Sequence, residues 1–361
     1  MNKHLGKVAL GVIGLATIAA TASPMAMAAA PKTVSLSETG SSLLYPLFNG
    51  FWVPAYEKLR PYVHISSSAT GSGQGISDAT SGTVNIGASD AYLPPSAFQT
   101  DPGIVNIPVA ISAQTIMYHI PGVSPKIHLH LTGKVLSEIF MGKITEWNDP
   151  AITKLNKGVK LPHHQIIPVY RSDGSGDTFL FTQFMSDTNP AWQSSVGFGT
   201  SVSWPAVRVA IGAKGNSGIV DTLHTTPYSV SYVGISYLNQ ARKEGIGQAI
   251  LQNRAGSWVL PNNQTIESAV KAQVKSVPKN EAKSLIYGPG KDSYPLVNFE
   301  YTIINTNQKD KALVVPLKQF LEWCIDGKWG GNKMSFLSPV HFLPLPANMK
   351  ALSQAQINEI H

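Results

Sequence analysis

Ile166-Ile167-Pro168-Val169-Tyr170-Arg171-Ser172-Asp173-Gly174-Ser175-Gly176-Asp177-Thr178-Phe179-Leu180-Phe181-Thr182 decides how this chain reads. Residues 166–171 are an apolar run ending in arginine and predict a strand. Asp173-Gly174-Ser175-Gly176 is a turn of small polar residues, and Phe179, Phe181, Thr182 and Phe184 continue it as a helix. The same strand, turn and helix order occurs twice upstream. Residues 34–37 read as a strand, and Gly40-Ser41-Ser42 opens a helix through Leu43, Leu47, Phe48, Phe51 and Tyr56. Residues 63–67 read as the next strand, and Gly71-Ser72-Gly73-Gln74-Gly75 opens a second helix through Ile76 and Ala79.

The remaining chain keeps this rhythm. Residues 84–90 predict a strand ending in Asp90, and residues 104–118 a buried strand rich in Val, Ile and Ala. Helices are expected over 135–140 and 312–325, with a strand over 299–304 between them in sequence. The segment around Pro205, Gly212, Gly215 and Gly218 reads as turns. Residues 269–283 have a polar helical pattern, and 288–292 a loop. Alternation of this kind predicts α/β lobes, each a sheet flanked by helices.

A helix start exposes unpaired N–H groups and the positive end of the helix dipole. Glycine lets the backbone approach a ligand, and Ser or Thr adds a hydroxyl. One such turn explains no more than a helix cap. Three turns with a strand-terminal arginine, if they converge, form a cage of neutral donors around one bidentate cation. That cage suits a tetrahedral oxyanion.

Composition narrows the class. The 361 residues include 28 Lys+Arg and 21 Asp+Glu, a formal charge of +7, and the length favours two lobes. Charged residues are only 14% and hydrophobic residues 43%, which argues for real cores and against disorder. Lys3 and Lys7, the apolar residues 8–20 and Ala26-Met27-Ala28 read as a secretory signal, predicting a mature chain from Ala29. That chain would keep 26 basic against 21 acidic residues, a charge of +5. No cysteine lies near the cleavage site, so a lipid anchor is not expected, and the mature protein is expected to be exported and soluble. Basic residues are scattered rather than clustered, which argues against nucleic-acid binding. Cys324 lies in an apolar helical pattern and is expected to be a buried thiol.

The motifs of catalysis are missing their decisive residues. His128 and His130, and the pair His163-His164, have no Cys or carboxylate companions at ligand spacing, so no metal is expected. Gly87-Ala88-Ser89-Asp90-Ala91 lacks the final glycine of a nucleophile elbow. Leu285 stands where a phosphate-binding loop ending in Gly290-Lys291 needs its first glycine. A binding protein is expected rather than an enzyme. An exported phosphohydrolase is the rival from another class.

Glu38-Thr39-Gly40-Ser41-Ser42-Leu43, Gly71-Ser72-Gly73, residues 85–91 and residues 171–176 resemble, in order and spacing, the phosphate-binding protein of the high-affinity phosphate ABC transporter. Trp204-Pro205, Gly215-Asn216-Ser217-Gly218 and Tyr232-Val233-Gly234-Ile235 extend the resemblance over essentially the whole mature chain. Residues 176–182 look like the branch that includes the mycobacterial phosphate receptor antigen. The resemblance implies a two-lobed, hinge-linked periplasmic-binding-protein fold of the type II kind, with phosphate in the cleft. It implies a periplasmic monomer without a cofactor, which hands phosphate to a membrane permease. The lobes are expected at 29–118 plus 300–361 and at 119–299. Receptors for sulfate, molybdate or phosphonate are the near alternatives.

Carried over residue by residue, Ser42 and Ser72 match hydroxyl donors, and Ser41 and Leu43 flank Ser42 with backbone N–H groups. Asp90 matches the acceptor for the phosphate's own proton. Arg171 matches the cationic clamp, with Asp173 orienting it, and Ser175 and Gly176 match donors at the third helix start. Asp177 departs from shorter family members, which carry threonine there. Either Thr178 replaces that hydroxyl in part, or Asp177 itself faces the proton-bearing side of the ligand.

Overall fold

The structure, a computed structural model, describes Met1, Gly6 and residues 32–361. The expected signal sequence, residues 1–28, lies outside the described residues apart from Met1 and Gly6. Among the described residues the strands are β1 (Val34–Gly40), β2 (Val63–Ser68), β3 (Ile86–Ser89), β4 (Ile104–His119), β5 (His130–Leu131) and β6 (Ile167–Arg171). They continue with β7 (Ile211–Ala213), β8 (Ser229–Gly234), β9 (Gly247–Gln248), β10 (Ile250–Gln252), β11 (Trp258–Val259) and β12 (Val297–Asn305).

The main sheet runs β2-β1-β3-β12-β4-β8-β6-β7, with β9 beside β4, and β11-β10-β5 form a small second sheet. Two parallel sets, β2-β1-β3 and β8-β6-β7, occupy its ends. The long antiparallel strands β12 and β4 join them. β4 pairs with β12 through Ala113 and with β8 from Gln114 onward, so one strand serves both sets. All but the last of its sixteen residues are buried. A strand covered on both faces reads as a continuous apolar run rather than an alternating one, which is why 104–118 was legible.

The three helix starts stand at the C-terminal ends of parallel strands, where an open α/β sheet presents ligands. After β1, the chain runs through Tyr45–Leu47, a π-helical stretch Phe48–Trp52 and Val53–Leu59. Leu47, Phe48, Trp52 and Tyr56 bury one face, and Phe48, Tyr56 and Trp52 meet Phe320 and Trp323 edge-on or tilted. After β2 comes the helix Ser72–Thr80. After β6 comes Gly176–Thr188, capped by Ser175, whose hydroxyl accepts from the Thr178 N–H at 3.2 Å. Its Leu180, Phe181 and Phe184 are core residues. Phe140, Trp192 and Trp204 pack around Phe181 and Tyr232.

Two local expectations are corrected. The polar helix expected over 269–283 is a helix Asn263–Lys271 followed by a single 3-10 turn, Val274–Ser276. Pro278 lacks the N–H a helix would need there. The turn-like segment near Gly215 holds a regular helix, Gly215–Thr225. Its glycines and Asn216 disguise it, while Ile219, Val220 and Leu223 bury its apolar face. Cys324 is buried, and burial raises its thiol pKa well above the ordinary value. No helix among the described residues is long and apolar enough to cross a membrane.

Candidate functional site

Strand-terminal Arg171 and the three Gly/Ser turns converge. Gly71 has φ +98°, a conformation that glycine adopts without steric cost. A Cβ there would stand 2.5 Å from Asp173 Oδ2 and from the Gly174 carbonyl. The Gly73 N–H donates to the same Gly174 carbonyl at 2.9 Å, so the second and third turns touch directly. Gly176 is equally confined, since a Cβ would fall 2.5 Å from Asp90 Oδ2 and 2.6 Å from Ser72 Oγ.

Arg171 is 3% exposed and lies between two carboxylates. Nε donates to Asp173 Oδ1 at 2.7 Å, Nη2 donates to Asp173 Oδ2, and Nη1 donates to Asp177 Oδ2 at 3.0 Å. Burial disfavours its charge, but the Asp173 bonds and the Asp177 charge outweigh that and hold the guanidinium protonated. Burial likewise opposes the charge on Asp173, yet Arg171 holds its pKa below the ordinary carboxylate value. Asp173 Oδ1 also accepts the Gly215 N–H at 3.1 Å, which fixes the orienting acid from a second element.

Asp177 is fully buried. It accepts from Gln114 Nε2 at 3.0 Å, from Asn216 Nδ2 at 2.6 Å and from Arg171. Burial raises its pKa despite those partners. Its side chain therefore braces the clamp. Thr178 Oγ1 bonds the Tyr232 hydroxyl at 2.7 Å. That Tyr232 hydroxyl accepts the Arg171 N–H at 3.0 Å.

Asp90 sits opposite, 2% exposed. The Ser41 hydroxyl donates to Oδ1, and the Ser72 hydroxyl lies 3.3 Å from Oδ2 and 3.2 Å from the Asp90 N–H. Burial first, then the Asp177 charge, push the Asp90 pKa up to about 7. Ser41 spends its N–H on the Ala88 carbonyl at 2.9 Å, while its Oγ accepts the Leu44 N–H at 2.9 Å. Ser42 Oγ accepts from the Asn216 N–H at 3.1 Å and from Asn216 Nδ2 at 3.0 Å. Leu43 is buried, and its carbonyl accepts the Ser236 hydroxyl at 2.8 Å. Ser175 donates its N–H to the Thr200 carbonyl at 2.8 Å. Among the described residues the N–H groups of Ser42, Leu43, Gly176 and Asp177 have no protein acceptor, which leaves donors from the first and third turns.

Gln114, Asn216 and Glu300 belong to this neighbourhood and carried no role in the sequence reading. Asn216 bridges the first turn to Asp177, and its Oδ1 accepts the Gly234 N–H at 2.7 Å. Gln114 and Glu300 are buried polar residues in strands made mostly of apolar ones, and Glu300 is the one acid in β12, which was the available signal. The histidines lie elsewhere: His128 bonds the Gln248 carbonyl, His130 packs edge-on to Trp258, His163 pairs with Glu146, and His164 stacks on Tyr228. No cluster of three or more metal-type side chains occurs among the described residues.

Residues 26–328 match the family model of the PBP superfamily domain. The phosphate-binding protein PstS of Methanocaldococcus jannaschii is 32% identical over 349 residues, covering 91% of this chain and 87% of that protein. The chain belongs to the PstS family. PstS3 of Mycobacterium bovis is 30% identical over 330 residues, covering 86% of this chain and 82% of its own. PfluDING, a high affinity periplasmic phosphate-binding protein solved bound with phosphate at pH 8.5, matches with a TM-score of 0.69 at 19% identity. That match covers 89% of this chain and 93% of the other. This PstS-family chain has the two-lobed α/β fold of the superfamily.

Proposed function

We propose that the chain captures inorganic phosphate between its lobes and delivers it to the permease of an ABC transporter. The observation that carries this reading is that a clamped arginine, Arg171, and an acceptor carboxylate, Asp90, are both buried where the Gly/Ser turns converge. A cation and N–H donors suit any oxyanion. A carboxylate at the same site suits an oxyanion that still carries a proton. The names of the relatives support the same ligand. Isothermal titration calorimetry of phosphate-stripped protein tests it. Saturable binding of phosphate, with sulfate at least 100-fold weaker, is expected. Absence of phosphate binding sinks the proposal, and equal binding of sulfate would make the protein a general oxyanion receptor.

The lobes are assigned to 29–118 plus 300–361 and to 119–299, an assignment supported by the two parallel strand sets and by β4 and β12 running between them. Ser41, Ser42, Leu43, Ser72 and Asp90 then belong to one lobe, and Arg171, Ser175, Gly176 and Asp177 to the other. A ligand bound by both shifts the hinge toward closure, the form a permease would recognise. Small-angle scattering should show a smaller radius of gyration with phosphate than without. Identical radii would argue for a rigid site. The protein acts as an exported periplasmic monomer and does no chemistry on its ligand. The Ser41 and Ser72 hydroxyls bond Asp90 rather than a histidine base, which supports binding over nucleophilic catalysis.

A further inference from the structure

We infer that Glu300 is a positioning acid for phosphate selection: it holds a proton against Asp90 and so keeps Asp90 an acceptor for the proton of the ligand. The inference rests on the phosphate-capture reading. It starts from strand register. Antiparallel pairing of β12 with β3 sets Tyr301 beside Ser89, so the next residues along, Glu300 and Asp90, face each other at the end of β3. Asn298 spans the two, its Nδ2 lying 2.9 Å from Glu300 Oε1 and 3.4 Å from the Asp90 carbonyl. This register and the shared Asn298 amide set the Glu300 carboxyl next to Asp90.

The donor inventory says where the proton sits. Glu300 is fully buried, and its Oε1 accepts from Asn298 Nδ2 and shares the single proton of the Ser112 hydroxyl with Asn298 Oδ1, 2.7 Å from that hydroxyl. Its Oε2 has no partner of the usual donor kind among the described residues. A buried oxygen facing a carboxylate without a donor is costly unless it is itself protonated. Asp90 is the opposite case, with Ser41 donating to one oxygen and Ser72 to the other. The pair therefore holds one proton on Glu300 Oε2, directed at Asp90. Burial, with the Asp90 charge second, raises the Glu300 pKa well above the ordinary carboxylate value, in keeping with that placement.

The other charged groups facing the pair are Asp177 on the Gly176–Thr188 helix and Arg171 on β6. Tyr92, Lys283 and Tyr301 share with Asp90 the lining of a small cavity of about 10 Å³, near the size of one water. All of these remain when Glu300 is changed, so the contribution of Glu300 is separable from theirs.

A proton held by Glu300 gives the ligand an Asp90 that is ionised and already bonded from behind. Stripping that proton at alkaline pH puts two facing carboxylates and an anionic ligand in one closed cleft. Phosphate affinity should therefore fall on the alkaline limb, by up to ~tenfold per pH unit, with one proton taken up on binding. Glu300→Gln keeps a donor toward Asp90 at every pH and should flatten that limb. Glu300→Asp keeps a titratable acid and should restore a slope. The experiment is calorimetric titration with phosphate from pH 6 to pH 10, in paired buffers of different ionisation heat. The readout is the slope and the proton count, whatever the affinity at neutral pH. Equal alkaline slopes in wild type and Glu300→Gln overturn the inference, and so does wild-type binding on that limb without proton uptake. Where the Gln variant does not fold, Glu300→Asp carries the comparison: an alkaline limb displaced along the pH axis supports the inference, and an unmoved limb overturns it. A wild type that binds no phosphate at any pH refutes the capture reading instead.

Discussion

Arg171→Lys is expected to weaken phosphate binding by roughly 100-fold, about 2.7 kcal/mol, although the charge is kept. The reason is a count of donors. A guanidinium has five N–H groups in a fixed fork. Three of them are committed to protein carboxylates, two to Asp173 and one to Asp177. That leaves one N–H on each terminal nitrogen, enough for a two-point contact with an oxyanion. Lysine has three donors on one atom and cannot serve Asp173, Asp177 and the ligand together. Whichever is left out is a buried anion without its partner, a loss of 2–5 kcal/mol in typical cases. Asp177, whose pKa burial already raises, is expected to take up a proton in the variant and loosen its hold on Asn216 and Gln114. Calorimetry with phosphate checks the affinity, and circular dichroism checks that the variant is folded. An affinity within threefold of wild type would take Arg171 out of the binding site.

Asp90→Asn is expected to change selectivity more than affinity. The ionised carboxylate of Asp90 offers acceptors only, and both oxygens are already oriented by Ser41 and Ser72. Phosphate near neutrality still has a proton to donate to it. Sulfate has none, so its oxygen and that of Asp90 would meet as two acceptors in a buried cleft. An unmatched buried group costs ~1–3 kcal/mol, and like charge adds to it. Asparagine removes the charge and supplies a donor, so sulfate affinity should rise by about tenfold or more while phosphate loses its acceptor. Acid should imitate the substitution in wild type. Selection against sulfate requires ionised Asp90, whose pKa burial and Asp177 raise to about 7. Selection is therefore present above that pH and fades as pH falls through it. Titrating both anions into wild type and variant at pH 5 and pH 8 tests both statements. A variant that still excludes sulfate at pH 8 and binds phosphate as before would move attention to Asp177.

The starts of the three helices that follow Gly/Ser turns were legible from the chain alone because the information is local. A β-rich run, a Gly/Ser turn and a helical pattern occupy about fifteen neighbouring residues each, and backbone sterics and capping act over that range. Ser42, Ser72, Asp90, Arg171, Ser175 and Gly176 sit at strand ends or helix starts, and the family resemblance, carried by those same local motifs, is what named them. What the helix start at Gly215 does was hidden, because glycines that read as turn residues open a helix whose Asn216 ties Ser42 to Asp177. The sense of Asp177 also waited on the fold. Its carboxylate meets Arg171, Gln114 and Asn216, of which Gln114 and Asn216 lie far from it in sequence. Glu300 is the clearest case. In sequence it is one acid in a mostly apolar strand. Only the pairing of β12 with β3, and of β12 with β4, brings it to Asp90 and Ser112. Local pattern determines where elements begin and which faces are apolar. Which buried polar groups meet is decided by long-range strand register, where a shift of one residue would turn Glu300 to the opposite face.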